Sequence, residues 1–263
     1  MNFNLPNIPF RTSSPRSEGL TMIMDKGLSM REAEDMLSAS SKHIDLIKLG
    51  FGTAYLEENL KEKINLYKNA GHKVYFGGTL FEAFIIRGMF QEYVDLIDRF
   101  EMDTVEISDG SITMDHDEKC EYINILSQNS TVLSEIGTKS TDVLIPPYKW
   151  IEMMEKELDA GSWKVIAEAR EGGNVGICRD TGEVRSDLIE EILTQIPKDK
   201  ILWEAPKKSQ QVWFIKLMGA NVNLGNIAPN EAIALECLRL GLRGDTFFDF
   251  LPKNNEIHST KRA

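Results

Sequence analysis

Carboxylate side chains recur at the ends of short apolar runs along this chain. They are Asp25, Glu106, Glu135, Glu168 and Glu204, with Lys48, Lys139 and Arg170 in similar positions. Clustered carboxylates repel one another, so they must bind protons, cations or basic side chains. The histidines and cysteines share no ligand spacing, and oxygen ligands alone favour Mg²⁺ over zinc. Singly, each residue is better explained by a solvated strand end or a structural ion pair, but together they predict one shared site.

The elements that must position these residues follow from the hydrophobic pattern, in which β-rich apolar runs alternate with stretches of helical period. We predict strands at 20–24, 44–49, 73–77, 104–107, 131–136, 164–169, 201–205 and 221–224. We predict helices at 29–41, 58–70, 83–100, 117–129, 148–160, 186–195, 210–218 and 230–240. This alternation indicates a parallel α/β fold. An open doubly wound sheet is the competitor, but it would leave two edges to protect, so we favour a single-domain (β/α)8 TIM barrel.

In such a barrel, polar residues late in the strands converge at the carboxyl-terminal mouth, where this fold builds its sites. A charge that faced the helix layer would be buried without water, so we expect these side chains to point inward. On this argument the first strand contributes Asp25 to the mouth and the eighth contributes Asn223. The glycines at 77–78 and 225 could let backbone amides approach an oxyanion or could simply form tight turns. The loop 171–185 fits a mobile lid and an ordinary surface loop equally well.

Composition narrows the class of protein. With 42% hydrophobic residues the 263-residue chain can bury a large core, and its net charge of −11 argues against duplex DNA or an anionic membrane as a partner. No apolar run reaches the roughly 18 residues that a membrane helix needs, and the first residues do not resemble a signal peptide. Three widely spaced cysteines fit a reducing compartment, so we expect a cytoplasmic protein. We also expect a homo-oligomer.

The domain organisation is simple. We predict an N-terminal extension at 1–18, a catalytic barrel at 19–251 and a C-terminal tail at 252–263, with both ends poorly ordered. Within the barrel, Asp115 and Glu118 have the spacing of a helix capping box, which explains them better than a metal site with His116 does.

Several strings of this sequence resemble the phosphosulfolactate synthase family. They are GLTM at 19–22 with DKG at 25–27, IKLGFGT at 47–53, YFGGTLFE at 75–82, VEISDG at 105–110, SEIG at 134–137 with Lys139, EAR at 168–170 and NLGN at 223–226. They occur in order from about 16 to 248. The resemblance implies a (β/α)8 barrel that adds sulfite to phosphoenolpyruvate with Mg²⁺, giving (R)-2-phospho-3-sulfolactate. The family also includes plant heat-stress-associated proteins, for which a non-catalytic role is considered.

The implied reaction assigns roles to the residues found above. Sulfite attack on the methylene carbon of phosphoenolpyruvate drives electrons into its carboxylate, which calls for a divalent cation and then a proton donor. The resemblance suggests Lys139 as that donor, although a surface lysine fits the position too. We predict Glu106, Glu135 and Glu168 as metal ligands, Glu106 and Glu135 being also catalytic.

The remaining site residues are assigned to the substrate and to support of the site. Lys48 and Arg170 are predicted anion contacts, and Asp25 and Asn223 complete the substrate site. Asp109 and Glu204 are expected to support it. Two other functions stay open at this point, an aldolase-type lyase that uses Lys48 or Lys139 as a Schiff base and a non-enzymatic barrel protein.

Overall fold

The computed structural model describes residues 3–137 and 145–252, which form eight parallel strands with helices between them. The strands are β1 (Thr21–Asp25), β2 (Leu46–Leu49), β3 (Lys73–Phe76), β4 (Thr104–Ile107), β5 (Thr131–Ile136), β6 (Lys164–Ala167), β7 (Ile201–Glu204) and β8 (Leu224–Ile227). Their order is β3-β2-β1-β8-β7-β6-β5-β4, and the two end strands lie against each other. The sheet is therefore a nearly closed barrel, and the predicted TIM-barrel class is confirmed.

Helices cover the outside of the barrel. They are α1 (Met30–Ser40), α2 (Thr53–Leu56), α3 (Leu60–Asn69), α4 (Gly78–Ile85), α5 (Phe90–Arg99), α6 (His116–Ser127), α7 (Pro147–Asp159), α8 (Ser186–Ile192), α9 (Lys208–Met218) and α10 (Ala232–Arg239). The single helix predicted at 83–100 is wrong, because the chain breaks between α4 and α5 at Gly88, whose φ of 68° is left-handed. Among the described residues, no helix is both long and apolar enough to cross a membrane.

Local capping explains where two of the helices begin. The Ser29 side chain accepts from the backbone N–H of Glu32, and the Glu32 carboxylate accepts from the backbone N–H of Ser29, which is a complete capping box for α1. At α6 the predicted N-cap is confirmed, since Asp115 accepts from the backbone of Asp117 and Glu118. The Glu118 carboxylate instead accepts from the Tyr122 hydroxyl.

Alternation along the strands divides the core into two parts. The larger part lies between sheet and helices. The smaller part fills the barrel interior and consists of Leu20, Met22, Leu46, Tyr75, Leu133, Ile166 and Leu202. Side chains two positions apart on a strand share a face. On β2, β4, β5, β6 and β7, the inward-facing residue that follows this apolar layer along the strand must therefore lie one layer closer to the mouth.

Side chains close the seam between β3 and β4. The described residues of these two strands form no backbone ladder with each other. Instead, the backbone N–H of Gly78, at the start of α4, donates to Glu106 Oε1 of β4 at 2.6 Å. A Cβ at position 78 would lie 2.5 Å from that of Ser108, so glycine is what lets α4 approach β4 this closely. The carboxylate thus joins the two edges of the sheet at the mouth.

The segment that precedes the barrel packs against its amino-terminal floor. Arg11 donates to Glu236 at 3.0 Å and to Asn221 at 2.6 Å, and Arg16 donates to Asp45 at 2.8 Å. Around Arg11 and Arg16, charged side chains therefore tie this segment to the barrel, and the N-terminal extension at 1–18 stays a prediction. Of the predicted tail at 252–263, only Pro252 belongs to the described residues.

Candidate active site

A layer of charged side chains lies on top of the apolar barrel interior. It consists of Lys48, Glu106, Glu135, Glu168 and Glu204, each no more than 4% exposed. Lys48 Nζ lies 2.8 Å from Glu106 Oε1, 3.3 Å from Glu135 Oε2 and 3.7 Å from Glu204 Oε1. The structure therefore brings together the residues that strand position predicted, and one ammonium group serves three carboxylates.

The electrostatics of this layer follow from its burial. Burial disfavours a charged lysine, but the neighbouring carboxylates outweigh that effect and raise the pKa of Lys48 well above its ordinary value. For the carboxylates, burial disfavours the charged form and so raises the pKa of Glu106 and of Glu204. The Lys48 ammonium opposes this rise in both. Lys48 thus stays protonated, while burial favours the neutral forms of Glu106 and Glu204 and the Lys48 ammonium favours their charged forms.

Three of these carboxylates could hold a metal ion. One oxygen each from Glu135, Glu168 and Glu204 lie within 4.8 Å of one another, all of them buried. The trio includes two of the predicted ligands and has Glu204 in place of Glu106, whose Oε1 contacts Lys48 and Gly78 instead. Hard oxygen ligands from consecutive strands suit Mg²⁺, so the residues present fit that ion.

A cavity of about 250 Å³ opens above the charged layer. It is lined by Met24, Lys48, Phe51, Thr79, Glu106, Glu135, Glu168, Arg170, Glu171, Glu204 and Asn226. Arg170 stands exposed at its rim, with its backbone N–H donating to Glu168 Oε1. Among the lining residues the described chain supplies four glutamates of the layer against Lys48 and Arg170, so the cavity is acidic.

Asp25 faces the helix layer instead of the mouth. Its Oδ1 accepts from the backbone of Gly27 at 2.8 Å and Leu28 at 2.7 Å, and its Oδ2 accepts from the Tyr67 hydroxyl at 2.8 Å. Lys63 of α3 lies 3.7 Å away. The inward prediction is wrong here because the neighbouring turn and α3 supply the partners that a buried carboxylate needs.

Asn223 lies at the opposite end of the barrel from the mouth. The eighth strand begins at Leu224, not at the predicted 221, so Asn223 precedes it. Its Oδ1 accepts from Leu20 N at 3.1 Å, and its Nδ2 donates to Ile201 O at 3.0 Å. The placement of Asn223 at the mouth is therefore wrong, and the amide instead ties together the beginnings of β1, β7 and β8.

The remaining predicted residues fall in two places. Asp109, just after β4, accepts from the fully buried Lys119 of α6 at 2.9 Å. Lys119 also donates to the backbone carbonyl of Glu135 at 2.6 Å and pairs with Glu157 at 2.8 Å, so it braces the ends of β4 and β5. Sequence analysis missed Lys119, although a lysine among the buried positions of an amphipathic helix is the signal that could have revealed it. Lys139 lies outside the described residues.

The loop between β6 and α8 is tied to the barrel. Gln210 of α9 donates to the carbonyl oxygens of Gly173 at 2.8 Å and Gly182 at 3.0 Å. Gly176 has a left-handed φ of 59°, and a Cβ there would lie 2.1 Å from the Glu168 carbonyl oxygen. The glycines of this loop thus permit close packing beside the glutamate that precedes it.

Comparison with known proteins finds relatives along nearly the whole chain. The family model of (2R)-phospho-3-sulfolactate synthase (ComA) matches residues 9–245. Phosphosulfolactate synthase of Methanothermobacter thermautotrophicus is 41% identical over 244 residues, covering 90% of this chain and 95% of that protein. The Bacillus subtilis enzyme of the same name is 39% identical over 244 residues, covering 92% and 97%.

A solved structure shares the fold. The 3-hexulose-6-phosphate synthase of Salmonella typhimurium has a TM-score of 0.55 at 14% identity, covering 85% of this chain and all of that one. At that identity the likeness concerns the barrel alone.

Proposed function

The chain belongs to the phosphosulfolactate synthase family of lyases, and on that premise we propose that it adds sulfite to phosphoenolpyruvate to give (R)-2-phospho-3-sulfolactate. The observation that carries the proposal is the acidic layer at the floor of a cavity of about 250 Å³, with Arg170 at the rim of the cavity. A cavity of this size suits a three-carbon phosphorylated acid rather than a larger substrate.

The proposed reaction forms one bond and moves one proton. The sulfur lone pair attacks the methylene carbon of phosphoenolpyruvate, and the π electrons of the carbon–carbon double bond move onto carbon two and its carboxylate. Carbon two then takes a proton, for which we propose Lys139 as the donor. The phosphate stays attached throughout, so no leaving group is needed.

Glu135, Glu168 and Glu204 are the residues that would hold Mg²⁺. When bound, the ion would supply positive charge beside the substrate carboxylate as negative charge builds up on it. The cavity lining supports this assignment, because five glutamates there would repel an anionic substrate, and Lys48 and Arg170 are the basic residues of the described lining that offset them.

The two basic residues of the cavity lining have different proposed roles. Arg170 is exposed and lines the cavity, so we assign it the main contact with a substrate anion. Lys48 also lines the cavity, but its ammonium already contacts Glu106 and Glu135, so we assign it to hold the carboxylate layer together beside the substrate. Asp25 and Asn223, which lie away from the cavity, are given no part in binding.

An aldolase-type mechanism is disfavoured by the state of Lys48. A lysine that forms a Schiff base must lose its proton, and such lysines usually have lowered pKa values. The three carboxylates around Lys48 raise its pKa instead. Borohydride with a keto acid such as pyruvate should therefore trap no covalent adduct at Lys48.

One assay tests the proposal. The protein is incubated with phosphoenolpyruvate and sulfite, with Mg²⁺ or with EDTA, and the products are followed by phosphorus NMR. We expect a new phosphate ester with Mg²⁺, none with EDTA, and recovery when Mg²⁺ is restored. Glu168→Gln keeps the shape of a proposed ligand and removes its charge, so its activity should fall at all Mg²⁺ concentrations or require far more of the ion.

The outcomes separate the parts of the proposal. Product formation in thoroughly chelated protein would remove the metal from it, and no product under any condition would refute the reaction itself. The cytoplasmic location and the homo-oligomer stay predictions.

A further inference from the structure

The last strand of the barrel contains an irregularity beside the cavity. Thr21 of β1 pairs with Leu224 of β8, and Ile23 pairs with Ile227. One residue of β1, Met22, therefore faces two residues of β8, Gly225 and Asn226. This is a β-bulge, a feature that often re-aims a side chain next to a functional site.

The bulge changes which way Asn226 points. Leu224 and Ile227 both lie in the outer core between sheet and helices. In a regular strand, residues three apart, such as Leu224 and Ile227, would face opposite sides of the sheet. Asn226, two positions after Leu224, would then share the outward face with it. The extra residue, with a left-handed φ of 55° at Asn226, turns that side chain into the cavity instead.

Met22 of β1 occupies the backbone N–H of Asn226 at the bulge. The backbone N–H of Asn226 donates to Met22 Sδ at 3.4 Å. A Cβ at Gly225 would lie 2.8 Å from Met22 Cε, so glycine is needed for this approach. What Asn226 presents to the cavity is therefore its amide group.

The Asn226 side chain is buried, and its amide has no hydrogen-bond partner among the described residues. Asn226 is 6% exposed, and its Oδ1 is shielded without a hydrogen bond from any described residue. Nor does any described residue form a hydrogen bond with its Nδ2. A buried amide that the protein leaves unpaired, on a left-handed backbone, is unfavourable for folding alone. A ligand in the cavity that accepts from Nδ2 is the partner that this amide group lacks.

Asn226 shares this backbone conformation with two other residues around the cavity. Phe51 and Arg170 also have left-handed φ values, of 53° and 58°, and both line the cavity. Non-glycine residues in this region cluster where function requires them. Arg170 brings a positive charge to the same cavity.

We propose that the Asn226 amide binds one of the two oxyanions of the reaction, with Nδ2 donating to an anion oxygen in the cavity. The ligand chemistry is a small oxyanion, either sulfite or the phosphate of phosphoenolpyruvate, whose oxygens accept hydrogen bonds from an amide N–H. This inference rests on the proposed function for the identity of the two anions.

Two substitutions test the contact while preserving the backbone. Asn226→Gly adopts the left-handed conformation freely and removes the amide, and Asn226→Asp keeps the shape but replaces the donor with a charged acceptor. Asn7 is a matched control, because it is exposed, lies outside the cavity and has a φ of 61°. Asn7→Gly and Asn7→Asp make the same chemical changes there.

The measurement is the dissociation constant of sulfite and, separately, of phosphoenolpyruvate by titration calorimetry with Mg²⁺ present. We expect both Asn226 variants to bind one of the two anions at least about tenfold more weakly and the other within about twofold, with Asn226→Asp the weaker binder. The anion whose binding is weakened is the one that the Asn226 amide contacts. Circular dichroism confirms the fold, and the aspartate variant is sufficient if the glycine variant does not fold.

The proposal is overturned if both anions bind both variants as they bind wild type, if the Asn7 variants lose as much, or if wild type binds neither anion. This test of the Asn226 contact is independent of whether the proposed reaction occurs. A wild-type protein that shows this selective loss on substitution, yet forms no product, would refute the proposed function and leave the Asn226 contact in place.

Discussion

Replacing Lys48 with methionine should destabilise the protein by an amount that depends strongly on pH. The substitution keeps the length of the side chain but leaves Glu106, Glu135 and Glu204 buried around an uncharged group, where the ammonium had lain 2.8–3.7 Å from each. Breaking a buried ion pair by removing one partner typically costs about 3–5 kcal/mol. In wild type the lysine offsets part of the repulsion between these carboxylates.

Proton uptake sets an upper limit on the cost. One proton bound by the layer restores the net charge that Lys48 provided, and the ordinary carboxyl pKa is 4.5. At about 1.4 kcal/mol per pH unit, holding that proton costs about 5 kcal/mol at pH 8 and about 0.7 kcal/mol at pH 5. The folded-state pKa of the layer rises above its unfolded value, so the stability of the variant is lost as pH rises and recovered as pH falls.

The assay is equilibrium unfolding by urea at both pH values, in the presence of EDTA. Lys26→Met is a matched control, since Lys26 pairs with Glu171 at 3.2 Å but both side chains are 51% exposed. It should cost less than about 1 kcal/mol at either pH. A Lys48→Met loss below about 1 kcal/mol at pH 8, or an equal loss at both pH values, would show that the carboxylates are not held charged by this lysine.

Three further predictions concern other residues. Arg170→Ala should raise the KM for phosphoenolpyruvate or sulfite with a loss of about 2–4 kcal/mol in kcat/KM, and steady-state kinetics equal to wild type for both would exclude this contact. Lys139→Ala should lower kcat by at least roughly 10²-fold with little change in KM. Lys139→Arg should not restore kcat, because guanidinium is too weak an acid, so near-normal turnover there would make the residue an anion contact instead. Burial lowers the pKa of Lys164 to about 8 from 10.5, so the unfolded chain binds more protons between those values and stability rises with pH there. Unfolding of Lys164→Met at several pH values should lack that rise, and an unchanged slope would contradict the argument.

The sequence by itself determined the barrel and most of the charged layer. Both depend on a local property of the backbone, the alternation of side chains along a strand, which is visible in any strand whose register is correct. Glu135 and Glu204 follow Leu133 and Leu202 by two positions, so the apolar layer beneath predicts the charged layer above. The family strings are local as well.

Tertiary structure decided what depends on contacts between distant segments. Alternation along β1 already places Asp25 on the outer face with Ile23, but only the tertiary structure shows that α3 carries Lys63 and Tyr67 to it. Asn226 rather than Asn223 reaches the cavity because β8 starts later than its apolar run suggests and bulges opposite Met22. How the barrel closes also decides that Glu135 and Glu204 lie near Lys48 and belong to the possible metal trio, whereas Glu106 pairs with Lys48 but is not part of the trio.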